Sequence, residues 1–478
     1  MIQSAPTQVS SGNVRYSMNK TRRNGLTLLA ALMCMAPWTA VNAADAPETE
    51  KSAMMKFLER DYLLGDWWGY RTDLSKRGVD FEFVWFGAMA NNVSGGTRVG
   101  TEWEGAMLML MTLNSDKLVG YHGGTFAVSS LYIHNTREFS RFHIGDLNKV
   151  SLLDFPDSLR LWELYYEQKF LHDKVSIKAG QLAIDRDFIL PEFYNSLAGI
   201  TFLNQTFFYP TLAFNVWDVA GLQPGHHALA STPYAGPGVR LRVDPSAHWV
   251  VQVGAYDGLP DRSWSGTRVN LNEAEGALLY GEIAYRMNQA EGDTGLKGNI
   301  KVGVYYHTDD FADIDEAALA AFGVVPAASV HQYSGNVGGY ALIDQQLYRE
   351  IEKDDPASQG LVGFFRVAGA PPDRNLTQFG IDGGFVYKGL IPTRDWDTLG
   401  VAASYLDLSD DLGRAYRLIG RPAPDYEAVV ELSYKAQLTA WWTLQPSLQY
   451  VFHPGGRTDP TRNIDDALAV LLQTTFRF

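Results

Sequence analysis

The sequence predicts an all-β protein, a transmembrane antiparallel β-barrel of about 16 strands. Three observations lead to this prediction. Residues 469–478 alternate apolar and polar side chains, which is the pattern of a strand with two different faces. Connections between strand-like segments alternate between short and long, and charged side chains occupy one face of several strands, as in a water-filled barrel.

Composition favours strands and argues against a nucleic-acid partner. The 478 residues include Gly 45, Tyr 24, Phe 24 and Trp 12, a mixture more typical of sheets than of helices. The formal net charge is -14, whereas nucleic acids attract basic surfaces.

Residues 1–43 are expected to be a signal peptide. Lys20, Arg22 and Arg23 precede the apolar run 26–37, and residues 41–43 offer small side chains for cleavage. A membrane anchor is the alternative, but the run is shorter than the roughly 20 apolar residues that cross a bilayer. The sequence therefore predicts export.

The mature chain needs another way to cross a membrane and another way to stay folded. Its single cysteine, Cys34, lies inside the signal segment, so we expect no disulfide and no thiolate metal site. After residue 44 no run of 18 apolar residues follows. A closed barrel is the other structure that satisfies every backbone hydrogen bond in lipid.

Residues 44–78 are expected to be a short periplasmic segment with a helix, followed by the barrel at 79–478. Met54, Met55, Phe57 and Leu58 form an apolar stripe at helical spacing. Gly78 is expected to end a separate, single helical turn that follows this helix. Phe81, Phe83 and Trp85 alternate with polar or smaller residues and open the first strand.

Strand-like segments then recur to the end of the chain. The pattern predicts about seventeen, and because a barrel of this kind needs an even number, we expect sixteen. Alternation is poorest in 212–222 and 340–345. The predicted strands after the first are 104–113, 125–135, 159–170, 175–184, 212–222, 239–243, 249–256, 277–287, 300–307, 340–345, 361–367, 379–387, 398–407, 426–437, 443–452 and 468–478.

Connection length alternates along these strands. The short connections are 171–174, 244–247, 392–395 and 438–441. The long ones are 136–158, 257–276, 308–336, 408–425 and 453–466. Short periplasmic turns and long external loops are typical of outer-membrane barrels.

Strand faces separate charge from apolar side chains. Arg240 and Arg242 alternate with aliphatic residues, and Glu163, Tyr165 and Glu167 are expected to face away from Trp162, Leu164 and Tyr166. Inward charges are costly in a packed core but natural in a water-filled lumen.

The stretch 65–71, Gly-Asp-Trp-Trp-Gly-Tyr-Arg, resembles the carbohydrate-selective porin family of Gram-negative outer membranes, the OprB type. The resemblance continues in order through 160–164, 174–181, 233–238, 338–340, 372–375, 388–392, 397–400 and 444–446. This chain departs from the family pattern at Trp68, where a glycine is expected, in the charged stretch 185–187, and in the acidic stretch 308–327.

The resemblance implies a channel of sixteen strands in the outer membrane, narrowed by loops that fold inward. It implies diffusion of carbohydrates, monosaccharides or polyols, into the periplasm. The alternatives are a general porin or a channel for small organic acids such as cyclic hydroxy acids, and a barrel adhesin or enzyme that uses its long loops.

The segment 185–210 is the candidate constriction, because it is rich in aromatic and amide side chains that suit sugar hydroxyls and C–H faces. The alternative is that its aromatic rings only pack the loop or join the membrane girdle. Of the pore-lining side chains that we expect, Asp185, Arg186 and Asp187 should lie near the narrowing. The full set of ten is Glu163, Tyr165, Glu167, Lys178, Asp185, Arg186, Asp187, Arg240, Arg242 and Glu282. For each, the alternative is a lumen salt bridge away from the narrowest point.

Enzymatic motifs are missing from the sequence. Neither G-x-S-x-G nor H-E-x-x-H occurs, and His226-His227 has no acidic ligand at helical spacing. We therefore expect no catalytic residue, no cofactor and no metal ion.

The terminal strand is expected to close the barrel and to direct insertion. Its lipid face is predicted to carry Leu468, Val470, Leu472, Thr474, Phe476 and Phe478. Phe478 is the expected contact for the barrel-insertion machinery. The other expected partners are outer-membrane lipid and lipopolysaccharide, with the chain a monomer or a homotrimer.

Overall fold

The fold is seen in a computed structural model that describes residues 53–193, 201–208, 231–260, 263–268, 276–350, 359–459 and 464–478. Sixteen strands form one closed barrel in which each strand pairs with its neighbours in sequence and the first pairs with the last. All of these pairs are antiparallel. The predicted fold class and the predicted number of strands are confirmed.

The strands cover most of the chain from residue 79 onward. They are β1 Val79–Gly96, β2 Gly100–Asn114, β3 Gly124–Ile133, β4 Ser158–Phe170, β5 Val175–Leu182, β6 Gly236–Val243, β7 Trp249–Asp257, β8 Ala277–Met287, β9 Gly298–Ala312, β10 Gln332–Arg349, β11 Gly360–Gly369, β12 Thr377–Lys388, β13 Thr398–Leu408, β14 Tyr426–Thr439, β15 Trp442–Phe452 and β16 Asp465–Arg477. The stretch 340–345 belongs to β10, whereas 212–222 lies outside the described residues.

The predicted faces of β16 are confirmed. Ala467, Ala469 and Leu471 are buried inside the barrel, while Leu468 and Val470 of the other parity are partly or fully exposed on the outside. β6 behaves in the same way, with Arg240 buried between the exposed side chains of Val239 and Leu241.

Trp162 does not lie on the predicted lipid face. It is buried against inward residues such as Phe86 of β1 and Leu131 of β3. The cause is a β-bulge, because Trp162 and Glu163 together face the single residue Ser129 on β3. A bulge inserts one residue and reverses the side-chain parity on one side of it, so Trp162 and Glu163 both face inward.

The connections divide the barrel into two unlike ends. Turns such as 171–174, 244–248 and 440–441 lie at the end where β1 begins and β16 ends, which we assign to the periplasm. The opposite end carries the external loops, numbered L1 to L8: 97–99, 134–157, 183–235, 258–276, 313–331, 370–376, 409–425 and 453–464. L1 and L6 are exceptions to the predicted alternation because they are short.

Five short α-helices complete the described structure. They are α1 Ala53–Leu58, α2 Tyr70–Lys76, α3 Ser115–Val119, α4 Ile314–Ala321 and α5 Asp410–Leu418. Gly78 follows α2 with a φ of 91°, which fits the predicted glycine stop. Helices α4 of L5 and α5 of L7 pack together through a small apolar core that includes Ala318, Leu412 and Tyr416. Among the described residues, none of the helices has the length and apolar character that crossing a bilayer requires.

Arg71 on α2 joins the two strands that close the barrel. Its guanidinium donates one hydrogen bond to the backbone carbonyl of Phe478 and one to that of Phe81, each 2.6 Å long. The same group stacks on the ring of Tyr62 at 3.4 Å. The amino-terminal segment thus fastens the β1–β16 seam from the periplasmic side.

Replacing Arg71 with Ala is expected to weaken the seam. Loss of two hydrogen bonds from a charged donor should lower the free energy of unfolding by about 2 to 4 kcal/mol. The measurement is the denaturant midpoint at which the folded, compact form disappears on a gel. Arg77→Ala is the matched control, because Arg77 makes only an exposed pair with Asp73 at 3.5 Å. Equal midpoints for the two variants would contradict the role of Arg71.

Candidate functional site: a narrowed lumen

Two external loops fold into the barrel instead of projecting from it. Phe139, Ile144 and Val150 of L2 and Phe202 and Phe207 of L3 are buried. They share a core with inward residues of the wall: Ala90, Phe364, Val386, Ala402, Val429, Val451, Ala467, Ala469 and Leu471. The loops also contact each other, since the Gln205 N–H donates to the Lys149 carbonyl over 2.8 Å. The lumen is therefore narrowed by L2 and L3 on the side of β11 to β16.

Glu431 of β14 holds L3 through the loop backbone. Its two carboxylate oxygens accept hydrogen bonds from the N–H groups of Leu203, at 2.7 Å, and Asn204, at 2.9 Å. The side chain is buried, and the Ser447 hydroxyl donates to it from β15. A loop inside a barrel has no strand partner for these N–H groups, and a carboxylate supplies two acceptors at once.

Glu427 lies four residues before Glu431 on the same strand, closer to the external end, and holds the backbone of L2. It accepts from the N–H groups of Leu147 at 2.7 Å and Asn148 at 2.6 Å. It also accepts from Gly455 of L8 at 2.7 Å. One buried carboxylate therefore ties two loops to the wall.

The beginning of L3 follows the opposite wall through three further carboxylates. Glu163 of β4 accepts from Ala183 at 3.2 Å, and Glu282 of β8 accepts from Ile189 at 3.0 Å. Asp344 of β10 then accepts from Glu192 at 2.6 Å and from Phe193 at 2.8 Å. We call these five residues, Glu163, Glu282, Asp344, Glu427 and Glu431, the wall carboxylates.

Amide and guanidinium side chains extend the same attachment. Asn204 donates to the carbonyl of Asn148 at 2.9 Å and to the side-chain oxygen of Gln449 at 3.0 Å. Arg366 of β11 is fully buried, makes two hydrogen bonds of 2.9 and 3.0 Å to Asp382, and donates to the Thr206 carbonyl.

Glu163 and Glu282 were predicted from the sequence to line the pore, whereas Asp344, Glu427 and Glu431 were not. Their inward parity was readable, because Glu427, Val429 and Glu431 share one face of β14. Nothing in the sequence shows that their partners are loop backbones more than 150 residues away, as for Asp344.

Seven of the ten predicted pore residues come together in an ion-pair cluster at β4, β5 and β6. Lys178 lies 3.0 Å from Asp187 and 3.8 Å from Glu163. Arg186 also lies 3.8 Å from Glu163. The Lys178 ammonium faces the ring of Tyr165 at 4.2 Å.

Arg240 completes the cluster from β6. It is 2.9 Å from Glu167 and 3.4 Å from Asp187, and it bonds the Ser176 hydroxyl. The cluster joins the wall to the start of L3, because Arg186 and Asp187 belong to the loop while the other members belong to strands.

Asp185, Arg242 and Glu282 lie apart from this cluster. Asp185 is buried and accepts from the Thr232 N–H at 2.9 Å and from the Thr232 hydroxyl at 2.6 Å. Burial raises the pKa of the Asp185 carboxyl above its usual range, and the two bonds from Thr232 oppose that rise. Arg242 pairs with Asp244 of the periplasmic turn at 2.7 Å. Glu282 receives hydrogen bonds from Tyr340 and Gln252 as well as from L3.

The aromatic rings of the predicted constriction are packing residues where they are described. Phe188 is fully buried against Tyr256 and Tyr280 of the wall, with ring centroids 6.3 and 5.3 Å apart. Phe207 and Phe208 are buried as well. Tyr194, Asn195 and Tyr209 lie outside the described residues.

Open space follows β1 and β16, next to the part of the wall on which L2 and L3 pack. A cavity of about 650 Å³ opens at the periplasmic mouth beside Glu82 and Arg477. A cavity of about 60 Å³ shares these two residues, and one of about 70 Å³ shares Phe86 and Gln473 with it. We call this chain of three cavities the β1–β16 tract.

The lining of the tract changes from charged to amide to aromatic. The middle cavity is lined by Lys435, Gln437, Gln445 and Gln473 together with threonine side chains. The innermost cavity is lined by Phe86, Leu108, Leu131, Phe155, Trp162 and Phe208. Amides that donate and accept, next to flat rings, fit solutes that carry both hydroxyls and apolar C–H faces.

Comparisons with known proteins agree with this architecture. Residues 110–478 match the family model described as carbohydrate-selective porin, OprB family. The chain is 26% identical to Porin B of Pseudomonas aeruginosa over 96% of this chain and 100% of that protein. It is 25% identical to Putative porin QuiX of Acinetobacter baylyi over 88% of this chain and 94% of that protein.

Two solved structures share the fold. The high-pH structure of Pseudomonas putida OprB gives a TM-score of 0.73 at 22% identity, over 88% of this chain and 99% of that one. The low-pH structure of the same protein gives a TM-score of 0.53 at 17% identity, with the same coverage.

Replacing Glu431 with Gln is expected to loosen L3. An amide offers one acceptor and turns its NH2 group toward a backbone N–H, so the Leu203 or Asn204 bond is lost at a cost of about 1 to 3 kcal/mol. Single-channel recording should then give noisier current and a higher mean conductance. Glu350→Gln is the matched control, because Glu350 is an exposed carboxylate just after β10 that accepts from the Tyr387 hydroxyl at 3.4 Å instead of from an external loop. Identical recordings from the two variants would show that Glu431 does not fix the loop.

Proposed function

Because the chain belongs to the carbohydrate-selective porin family of the OprB type, we propose that it lets monosaccharides or polyols diffuse across the outer membrane into the periplasm. Membership and fold place the chain in the Gram-negative outer membrane as a carbohydrate channel. The finer statement, that the permeants are single sugars or polyols, rests on the β1–β16 tract.

The tract supports small neutral polyhydroxylated solutes. Gln437, Gln445 and Gln473 line the tract with amides that carry no net charge, and Trp162 and Phe86 add flat apolar faces. A solute can exchange water for these groups in several weak steps, which permeation requires. The two inner cavities are small, about 70 and 60 Å³, which favours single rings over long chains.

A channel for small organic acids, such as cyclic hydroxy acids, is the second candidate. Lys435 and Arg477 place two cations along the tract, where a carboxylate could pass. The chain is about as similar to Putative porin QuiX as to Porin B, which also allows a solute other than a sugar. A general porin is the remaining version of this candidate.

The ten predicted side chains keep a role in the proposal. Lys178, Arg240 and their partners in the ion-pair cluster would set the electric field at the start of L3, where Arg186 is the most exposed member. Opposed charges across a narrow passage order water and slow bare ions. Tyr165 faces Lys178 within the cluster, and Arg242, Glu282 and Asp185 are proposed to shape the passage on either side of it.

The remaining expectations are also proposals. Residues 1–43 would direct export, 44–78 would lie in the periplasm and 79–478 would form the barrel. Outer-membrane lipid and lipopolysaccharide would surround it, as a monomer or a homotrimer, and recognition of Phe478 by the insertion machinery stays a prediction. The family supports a diffusion channel rather than an enzyme.

Neutral sugars are expected to enter and to obstruct the channel. Adding a monosaccharide to one side of a single-channel membrane should reduce the current, and liposomes should swell faster in a hexose than in an organic acid of matched size. The control is a disaccharide, which should swell liposomes more slowly. A current that no neutral sugar changes, together with fast swelling in acids, would favour the second candidate.

Replacing Arg240 with Ala is expected to shift ion selectivity toward cations, and Arg242→Ala should do so more weakly. Removal of the Arg240 guanidinium leaves Glu167 and Asp187 less compensated inside the lumen. The reversal potential in a salt gradient measures the shift. Arg394→Ala is the control, because Arg394 pairs with Asp397 in a periplasmic turn. Unchanged potentials for Arg240→Ala would place the cluster away from the ion path.

A further inference from the structure

The amino-terminal segment 53–70 runs along the periplasmic rim, where Arg60, Asp61 and Tyr62 line the outermost cavity of the β1–β16 tract and other side chains contact the outer surface. Phe57 of α1 packs on Trp441 of the β14–β15 turn, with ring centroids 5.2 Å apart. Trp441 in turn stacks on Trp442 and on Phe476, which face lipid on β15 and β16.

Further along the segment, Trp67 packs on the barrel exterior at β1. Its ring lies 5.9 Å from Phe81 and 6.2 Å from Phe83, two side chains of the outward parity. The segment therefore contacts lipid-facing aromatic rings directly through Trp67, and at its α1 end it reaches them through the buried ring of Trp441, at the level where the barrel surface meets the periplasm.

Most of the other large apolar side chains of this segment are exposed. Trp68 is 96% exposed and Tyr70 is 68% exposed. The same holds for Met54, Met55, Leu58 and Leu64. Six exposed apolar or aromatic side chains within one short stretch are unusual for a surface that faces only water.

Trp68 also has a backbone conformation that favours glycine. Its φ and ψ are 59° and 31°, in the left-handed region, where a side chain is strained. The family pattern led us to expect glycine at this position. The Trp68 backbone is strained and its indole is exposed, so contacts within the protein do not offset the strain. We therefore expect a contact outside the chain to stabilise this side chain.

We propose that segment 53–70 is an interfacial collar whose exposed side chains, led by Trp68, lie in the headgroup region of the inner leaflet. Trp and Tyr prefer this region because one part of the ring system is apolar and another is polar. Continuity with the outward rings of Phe81, Phe83, Trp442 and Phe476 places the collar at the correct depth. Its charged side chains Lys56, Glu59, Arg60, Asp61 and Asp66 carry both signs, so the occupant is the lipid interface rather than an oppositely charged protein.

Fluorescence quenching in lipid nanodiscs tests this collar directly. The emission difference between the parent protein and Trp68→Gly isolates one indole, and glycine accepts the left-handed backbone. Trp264→Gly is the matched control, because Trp264 is an exposed tryptophan of external loop L4. Phosphatidylcholine brominated on the acyl carbons nearest the headgroup is the lipid quencher, and iodide is the soluble one.

The collar predicts that brominated lipid quenches the Trp68 component at least twofold more strongly than the Trp264 component, and that iodide does the reverse. The result should hold at high salt. Strong iodide quenching of Trp68 with no effect of brominated lipid would overturn the proposal. Such a result would leave this face open to a soluble periplasmic protein.

Discussion

Backbone N–H groups that enter a barrel without a strand partner must find acceptors there, and this constraint organises the lumen of the channel. Glu431, Glu427 and Asp344 each accept two or more loop N–H groups, and Glu163 and Glu282 accept one each. The wall carboxylates are distributed around the barrel, so L3 is held along its course rather than at one point. A buried carboxylate that loses its hydrogen-bond donors costs free energy, so each wall carboxylate favours the loop position in which its N–H partners are present.

Where the loops are fastened determines where solute can pass. L2 and L3 pack on the inner faces of β11 to β16 through Phe139, Phe202 and Phe207. The cavities follow β1 and β16 beside these loops, with Phe155 of L2 and Phe208 of L3 in the lining of the innermost one. The ion-pair cluster lies at the start of L3 and balances three cations with three anions: Lys178, Arg186, Arg240, Glu163, Glu167 and Asp187. Its field is therefore local, which suits a passage that handles neutral solutes beside the loop.

Features with a short period were predictable from the sequence, and features that depend on distant contacts were not. The faces of β16 and β6 follow from strict alternation, and Gly78 follows from the need for a left-handed residue after a helix. Trp162 was assigned to the wrong face because a bulge opposite Ser129 shifts parity without any sequence mark. The role of Glu431 was missed because Leu203 is 228 residues away. Part of the predicted aromatic constriction is loop packing. An aromatic ring such as Phe188 can pack in a core or stack on a sugar, and the sequence does not distinguish these roles.

Amide hydrogen exchange of the folded protein in a membrane mimetic tests the fastening of the loops most directly. The N–H groups of Leu147, Asn148, Leu203 and Asn204 should exchange as slowly as those of the barrel strands, because each donates to a buried carboxylate. Exchange as fast as that of the exposed end of α5, near Leu418, would contradict the account. In that case the loops would not be held on the wall.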